Sequence, residues 1–138
     1  MKGKSALALM EQAIMLLILA VAAALCLQAF VWADAHSREN SDRDRALTQL
    51  QSAAEVLKAC RGDWEDASEA FGGQADENSW SVCWDENWER TDMPGMYRLE
   101  AVPVSGTTDY LGCADLELRQ EDGTVLGSLQ VCWQEVQP

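Results

Sequence analysis

The sequence predicts an α+β fold, in which one long N-terminal helix packs on a small antiparallel sheet of three or four strands. Residues 13–61 contain neither proline nor glycine and are rich in alanine and leucine, which favours one uninterrupted helix beginning near Leu7. From Trp80 onward the hydrophobic period changes to two, the period of a half-buried strand. The 138 residues therefore hold the helix and one small head domain.

The first part of the predicted helix is apolar on every side. Ala13–Trp32 has the length of about 20 residues that a helix needs to cross a membrane. Lys2 and Lys4 precede this stretch, so we expect the N-terminus on the cytoplasmic side and the head outside. We predict a single-pass segment in the cytoplasmic membrane over residues 7–33.

The second part of the helix is amphipathic. Gly62 is expected to end the helix, because glycine readily takes the left-handed conformation that follows a helix C-terminus. The predicted head covers residues 34–138, with helix over 34–61 and the sheet over about 79–134. One apolar stripe runs along the helix at helical spacing and needs a sheet to cover it: Leu47, Leu50, Ala54 and Leu57.

The remaining predicted elements are short. Asp63–Phe71 is predicted as a second helix that Gly72 and Gly73 end, Gln74–Ser79 as a loop, and Asp85–Gly95 as an acidic connection. Alternating apolar and polar residues predict four strands: Trp80–Trp84, Met96–Val104, Leu111–Gln120 and Thr124–Gln134.

Asp122-Gly123 predicts a hairpin with a two-residue turn between the last two strands. That turn places Cys113 directly opposite Cys132, so a cross-strand disulfide is predicted there. Counting outward from the turn puts this pair at a hydrogen-bonded position, where the Cα atoms are about 5.5 Å apart.

The cysteine content agrees with export. Cys26 lies within the apolar run, and the other four cysteines form an even set in the head, which suggests two disulfides. With Cys113 and Cys132 joined, the second predicted disulfide is Cys60–Cys83, which would tie the helix end to the first strand.

The charge balance and the scarcity of chemical motifs exclude several function classes. The chain has 10 Lys and Arg against 23 Asp and Glu, and phosphate binding needs the opposite sign, so no nucleic-acid partner is expected. The single histidine and the absence of a CxxC pair argue against zinc. No catalytic motif is present, so neither an enzyme nor a cofactor is expected. Asp85, Asn87 and Glu89 alternate in an acidic loop, which is either solvated or a candidate calcium site.

Glu11 is the one charged residue between Lys4 and Asp34. A charged side chain at membrane depth costs roughly 2.5–3.5 kcal/mol unless a second group compensates it. We therefore expect a partner group from another molecule. The alternative is an ordinary interfacial acid at the edge of a signal anchor.

The N-terminal segment resembles that of the type IV pilin and pseudopilin family. Leu7-Ala8-Leu9-Met10-Glu11 fits the family's frame, in which a basic leader is removed and glutamate is the fifth residue of the mature chain. The resemblance implies that residues 1–6 are the leader, that prepilin peptidase cuts between Ala6 and Leu7, and that Leu7 is N-methylated. Ala6 stands where the family normally has glycine. The resemblance is specific over residues 2–32 and architectural beyond them.

The resemblance also implies a function. The protein would be a structural subunit, minor or initiating rather than major, that assembles with other pilin or pseudopilin subunits. The product would be a type IV pilus or a type II secretion pseudopilus at the cell surface. Glu11 would neutralise the terminal amine of Leu7 on an adjacent subunit, since each charge is costly alone and tolerable as a pair.

A conventional signal peptide is the competing interpretation. Ala33-Asp34-Ala35 has the small-x-small form that signal peptidase cuts, and the mature chain would begin at His36. The apolar run of about 20 residues is longer than the usual 7–15 of such a peptide. On this interpretation the protein is a signal-anchored or secreted acidic binding module that acts as a monomer.

Overall fold

A computed structural model describes residues 2–92, 94–105 and 108–135 of the chain. The predicted α+β class is confirmed, because these ranges contain two helices and one antiparallel sheet of six strands. Met1 of the predicted leader, Met93 of the predicted connection and residues 136–138 of the predicted head lie outside them. The elements are α1 Lys2–Ala59, α2 Trp64–Phe71, β1 Gln74–Asp76, β2 Ser79–Trp84, β3 Arg90–Thr91, β4 Tyr97–Pro103, β5 Leu111–Gln120 and β6 Val125–Gln134.

The chain divides into two compact units, with the boundary between Ser41 and Asp42. The first unit holds the apolar part of α1, and the second holds the rest of α1, α2 and the sheet. Helix α1 begins at Lys2, earlier than the predicted start near Leu7, and ends at Ala59, two residues before the predicted end at 61. Arg61 and Gly62 follow that end with φ of +54° and +80°. Arg61 N–H donates to the Lys58 carbonyl at 3.2 Å and Gly62 N–H to the Leu57 carbonyl at 3.0 Å, so Arg61 takes the terminating left-handed position that was predicted for Gly62, and Gly62 is the next residue.

The sheet has the strand order β1-β2-β4-β5-β6, and β3 pairs with β2 outside this path. The prediction of three or four strands accounts for the four long ones. The predicted loop Gln74–Ser79 instead contains β1 and the first residue of β2, and the predicted connection Asp85–Gly95 contains β3. Strands of three and two residues are too short to show an alternating pattern, so sequence periodicity missed both.

The core of the second unit lies between α1 and one face of the sheet. Ala46, Leu50, Ala53 and Leu57 of α1 are fully buried, whereas 43% of Leu47 is exposed. The buried stripe is therefore rotated from the predicted one and does not centre on Leu47. The sheet side of the core consists of large apolar side chains: Trp80, Val82, Trp84, Tyr97, Leu99, Leu116, Leu118, Val131 and Trp133.

Helix α2 is short and depends on its ends and on one aromatic contact. The Asp63 carboxylate caps it by accepting hydrogen bonds from the N–H groups of Glu65 and Asp66, at 3.0 and 3.1 Å. Its buried Phe71 packs edge-on against Trp80, with ring centroids 5.6 Å apart. The cap and the aromatic pair together fix this helix against the tryptophan side of the core.

The turn between β5 and β6 is longer than predicted. Gln120 N–H donates to the Thr124 carbonyl, and Gly123 N–H donates to the Gln120 carbonyl, both at 2.9 Å. The loop is therefore Glu121–Gly123, one residue more than the predicted two-residue turn. Gly123 has a φ of +90°, which suits the left-handed residue that closes a hairpin loop of this length.

A β-bulge next to the turn restores the predicted register. Arg119 pairs with Val125 but Leu118 pairs with Gly127, so Leu126 is an extra residue in β6. The extra residue in β6 compensates for the extra residue in the loop, so the pairing beyond the bulge is unchanged. The rest of the register is as predicted, with Cys113 opposite Cys132 and the apolar pairs Leu116–Leu129, Ala114–Val131 and Gly112–Trp133.

The disulfide Cys113–Cys132 is confirmed, but its position in the ladder differs from the prediction. Its Cα atoms are 4.1 Å apart, close to the spacing of a non-hydrogen-bonded pair. The Cys113 carbonyl accepts from Val104 N–H at 2.9 Å, so its backbone groups point away from β6. The bulge at Leu126 shifts the alternation of hydrogen-bonded and non-hydrogen-bonded pairs along the hairpin. This shift explains why the Cys113–Cys132 pair is not at the predicted hydrogen-bonded position.

The second predicted disulfide, Cys60–Cys83, is wrong. Cys60 is a half-buried free thiol that packs against the core at the end of α1. Cys83 lies between Val82 and Trp84, whose side chains face the core, and successive residues of a strand point to opposite faces. The sheet therefore separates the two cysteines. Burial, followed by the charges of Asp66 and Asp63, raises the pKa of the Cys60 thiol.

We expect Gly62→Ala to destabilise the second unit more than Gly123→Ala does. Both glycines have positive φ, so each substitution carries a backbone cost of about 1–2 kcal/mol. A Cβ at Gly62 would lie 2.1 Å from the Trp133 ring, whereas one at Gly123 would meet no described atom within 4 Å. Urea unfolding of the full chain in detergent measures the difference. Equal losses in the two variants would contradict this packing.

We expect Cys113→Ser to lower the free energy of unfolding by about 3 kcal/mol, because the disulfide closes a loop with a sequence separation of 19. Cys60→Ala is the control that removes a thiol without removing a crosslink. Non-reducing peptide mapping of the wild type should yield the peptide pair that contains Cys113 and Cys132. A fragment that joins Cys60 to Cys83 would overturn the separation of these residues by the sheet.

Candidate functional site

The first unit presents an apolar surface that the rest of this unit does not cover. Every described side chain from Gly3 to Ser41 is exposed, including Leu7 at 70% and Trp32 at 71%. The segment is long and apolar enough to cross a membrane, as predicted. A lone α-helix has no second element on which to bury its side chains, so this unit leaves a large apolar surface open.

Glu11 lies on the same flank of this helix as Lys4. Leu7 and Ala8 lie between them, and Ile18 lies beyond, along a shallow hollow in the helix surface. Residues three and four apart share a helix face, so this flank combines one acid with apolar side chains. Within the described residues, no hydrogen bond or ion pair engages the Glu11 carboxylate. It is available to a group on another molecule.

The residues of the predicted cleavage are accessible. Ala6 and Leu7 are exposed in the first turns of α1. The alternative site, after Ala35, also lies in α1, since the helix runs without a break through His36. Close to it lie an Arg38–Asp34 ion pair of 3.2 Å and a stacked Trp32–His36 pair.

The candidate calcium residues Asp85, Asn87 and Glu89 lie in one tight turn. The Asp85 Oδ1 atom accepts hydrogen bonds from the N–H groups of Asn87 and Glu89, both at 2.9 Å. Asp85 N–H in turn donates to the Glu89 carbonyl at 2.8 Å. The Asp85 carboxylate is therefore already hydrogen-bonded to backbone N–H groups of the same turn. In residues 2–92, 94–105 and 108–135, no group of three or more His, Cys, Asp and Glu side chains is placed to share a metal ion.

A polar cluster that sequence analysis missed lies at the start of the second unit. Trp88 stacks on Tyr97, with ring centroids 3.9 Å apart and planes 13° from parallel. Its indole N–H donates to the Asp42 carboxylate at 3.4 Å. Trp88 is thus held against the core. The only sequence signal was that Asp42 lies four residues before the buried Ala46, on the same helix face.

Asp42 also faces the Tyr97 hydroxyl. Burial raises the pKa of the Tyr97 phenol, and the neighbouring Asp42 charge and hydrogen bond raise it further, while Arg45 opposes them. Ionisation of this phenol is therefore harder in the folded protein than in the unfolded chain. The folded state should lose stability as the pH rises above about 10, the ordinary pKa of tyrosine.

We expect Asp42→Asn to lower the pKa of Tyr97 toward its ordinary value, because the substitution removes the carboxylate charge. The titration is followed by the ultraviolet absorbance of tyrosinate in a Tyr110→Phe background, which leaves Tyr97 as the only tyrosine. Asp44→Asn removes an exposed acid from the same helix and is the control. An unchanged Tyr97 titration in Asp42→Asn would contradict the contact.

Comparison of the chain with protein-family models, with curated proteins and with solved structures found no match.

Proposed function

We propose that this protein is a structural subunit of a pilin-like fibre, either a type IV pilus or a type II secretion pseudopilus, and that it assembles through the apolar part of α1. The observation that carries the proposal is that every described side chain from Gly3 to Ser41 is exposed. Fibre packing would give this surface a protein environment, and the membrane would cover it before assembly.

The apolar surface itself supports the proposal. Burial of apolar area contributes about 25 cal/mol per Å², and each large side chain such as Leu16 or Phe30 contributes about 1.5–3 kcal/mol when it is covered. Neighbouring subunits with the same helix could supply that cover along its whole length. Lys2 and Lys4 hold the N-terminus in the cytoplasm before assembly, and the acidic head lies outside.

Glu11 gives the assembly a preferred axial offset. If prepilin peptidase removes residues 1–6, the new amine of Leu7 is a cation that a neighbour's Glu11 can neutralise. Leu7 and Glu11 are four residues apart, so this pairing would offset adjacent helices by about 6 Å, roughly one helical turn. A purely apolar contact would fix no such offset, since apolar side chains pack in many registers.

The mature N-terminus separates this proposal from the monomeric binding module. We expect intact-protein mass spectrometry of the membrane fraction to give a chain that begins at Leu7, with or without a methyl group. A chain that begins at His36 would leave no apolar helix for assembly and would support the secreted module. An uncut chain would contradict prepilin processing and would leave a plain membrane anchor.

We expect Glu11→Gln to reduce incorporation into filaments at least tenfold without preventing membrane insertion. The amide keeps the size of the side chain but cannot neutralise an ammonium group. Quantitative immunoblotting of sheared filaments against the membrane pool measures the ratio. Trypsin resistance of the second unit reports whether the head is folded.

Glu39→Gln is the matched control, because it removes one exposed acid from the polar part of α1. Its incorporation should stay within twofold of the wild type. The role of Glu11 would be refuted by normal incorporation of Glu11→Gln, or by an equal loss in Glu39→Gln.

A further inference from the structure

Strand β6 forms one lateral edge of the sheet, and its composition is unusual for an edge. Val125–Gln134 is ten residues long and contains no charged residue and no proline. Natural proteins usually protect long edge strands with lysine, proline or a covering segment, because an open edge pairs readily with another chain. Here the only such feature within β6 is the bulge at Leu126.

The backbone of β6 directs hydrogen-bonding groups away from the sheet. The backbone N–H and C=O of Cys113 point toward β4, as the hydrogen bond from Val104 N–H to the Cys113 carbonyl shows. Cys132 lies opposite Cys113 in the ladder, so the N–H and C=O of Cys132 point outward from the sheet edge. By the same alternation, Ser128, Gln130 and Gln134 also direct these groups outward. Between Ser128 and Gln134, no described segment supplies hydrogen-bond partners to this edge.

The inner side of the edge is apolar. A Cβ at Gly127 would lie 3.3 Å from the Leu47 side chain, so Leu47 of α1 lies directly over β6. Leu47 is nevertheless 43% exposed, and Leu129, two residues after Gly127 in β6, is only partly buried. A strand added to the edge would place its inward side chains beside these two leucines. Apolar residues fit those positions.

The outer side of the edge is polar and flanked by acids. Gln130 pairs with the exposed Asp115 of β5, which forms no salt bridge within the described residues. Glu135 follows the end of β6. Arg98 of β4 and Arg119 of β5 lie on the same face of the sheet as Asp115, and Arg119 is already bound to Glu117. Neighbouring strands are about 4.8 Å apart, so a Lys or Arg side chain on an added strand could extend over Gln130 toward Asp115.

We propose that the edge of β6 from Ser128 to Gln134 binds an extended segment of a partner protein by β-strand addition, and that this segment alternates apolar residues with Lys or Arg. The apolar residues cover Leu47 and Leu129, and the basic residues face Asp115. The net charge of −13 favours a basic partner over a second copy of this chain. The inference does not depend on the filament proposal, because every residue involved belongs to the second unit.

The test uses the full chain in a non-ionic detergent and a labelled, end-capped peptide of alternating valine and lysine. Fluorescence anisotropy should show saturable binding of this peptide. A valine–glutamate peptide should bind at least tenfold more weakly. A peptide with the same valine and lysine content in two blocks should also bind at least tenfold more weakly, because it lacks the alternation.

Gln130→Pro is the edge variant, because it removes an outward N–H without removing a bond to β5. Gln130→Lys is a second edge variant, which leaves the backbone intact and repels a basic partner. Each should weaken binding of the alternating peptide at least tenfold. Gln130→Thr is the control and should stay within twofold of the wild type. Asp115→Asn should weaken binding about threefold, as expected for one exposed charge pair.

Three results would overturn the inference. Undiminished binding by both Gln130→Pro and Gln130→Lys would show that the peptide binds elsewhere. Equal binding of the alternating and block peptides would show attraction to net charge alone. A wild-type dimer that Gln130→Pro converts to a monomer would assign the edge to a second copy of this chain.

Discussion

The second unit depends on the packing of one face of α1 against the aromatic face of the sheet. Ala46, Ala53, Trp80 and Trp84 are all buried in the same apolar core. A buried tryptophan removes more apolar area from water than a buried alanine, so each of these tryptophans contributes more hydrophobic free energy to the core than each alanine does. Phe71 packs edge-on against both of these rings, so α2 depends on the same contact.

The first unit differs from the second in that it has no core of its own. It exposes apolar side chains that no element within the unit can cover. Hydrophobic attraction is not directional. Burial of these side chains is therefore favourable, but it does not specify how a neighbouring molecule is placed. A charge in the same helix is directional and is costly when it has no partner, which is how one carboxylate can select an arrangement. Glu11 is therefore more informative about the packing of this helix than the apolar residues around it.

The two units offer different kinds of open surface. The apolar helix offers area, which lipid and protein can both cover. The β6 edge offers backbone donors and acceptors at fixed spacing, which only an extended chain can satisfy. A protein with both surfaces can use the first for anchoring or assembly and the second to bind a different molecule. The edge itself is uncharged, and the exposed Asp115 of the neighbouring strand β5 pairs with Gln130 of the edge.

Local pattern alone was sufficient for the continuous helix, the four long strands and the residue pairing of the last hairpin, because helix and strand periods depend on neighbouring residues. That pairing was correct although the predicted turn was too short, since the bulge at Leu126 offsets the added loop residue. The alternation of side chains along β2 also indicated that Cys83 lies on the opposite side of the strand from Val82 and Trp84. Only the fold showed that α1 covers the other side, which rules out a bond with Cys60. Asp42 and Trp88 are 46 residues apart, and their contact has no local signal because packing of distant segments creates it.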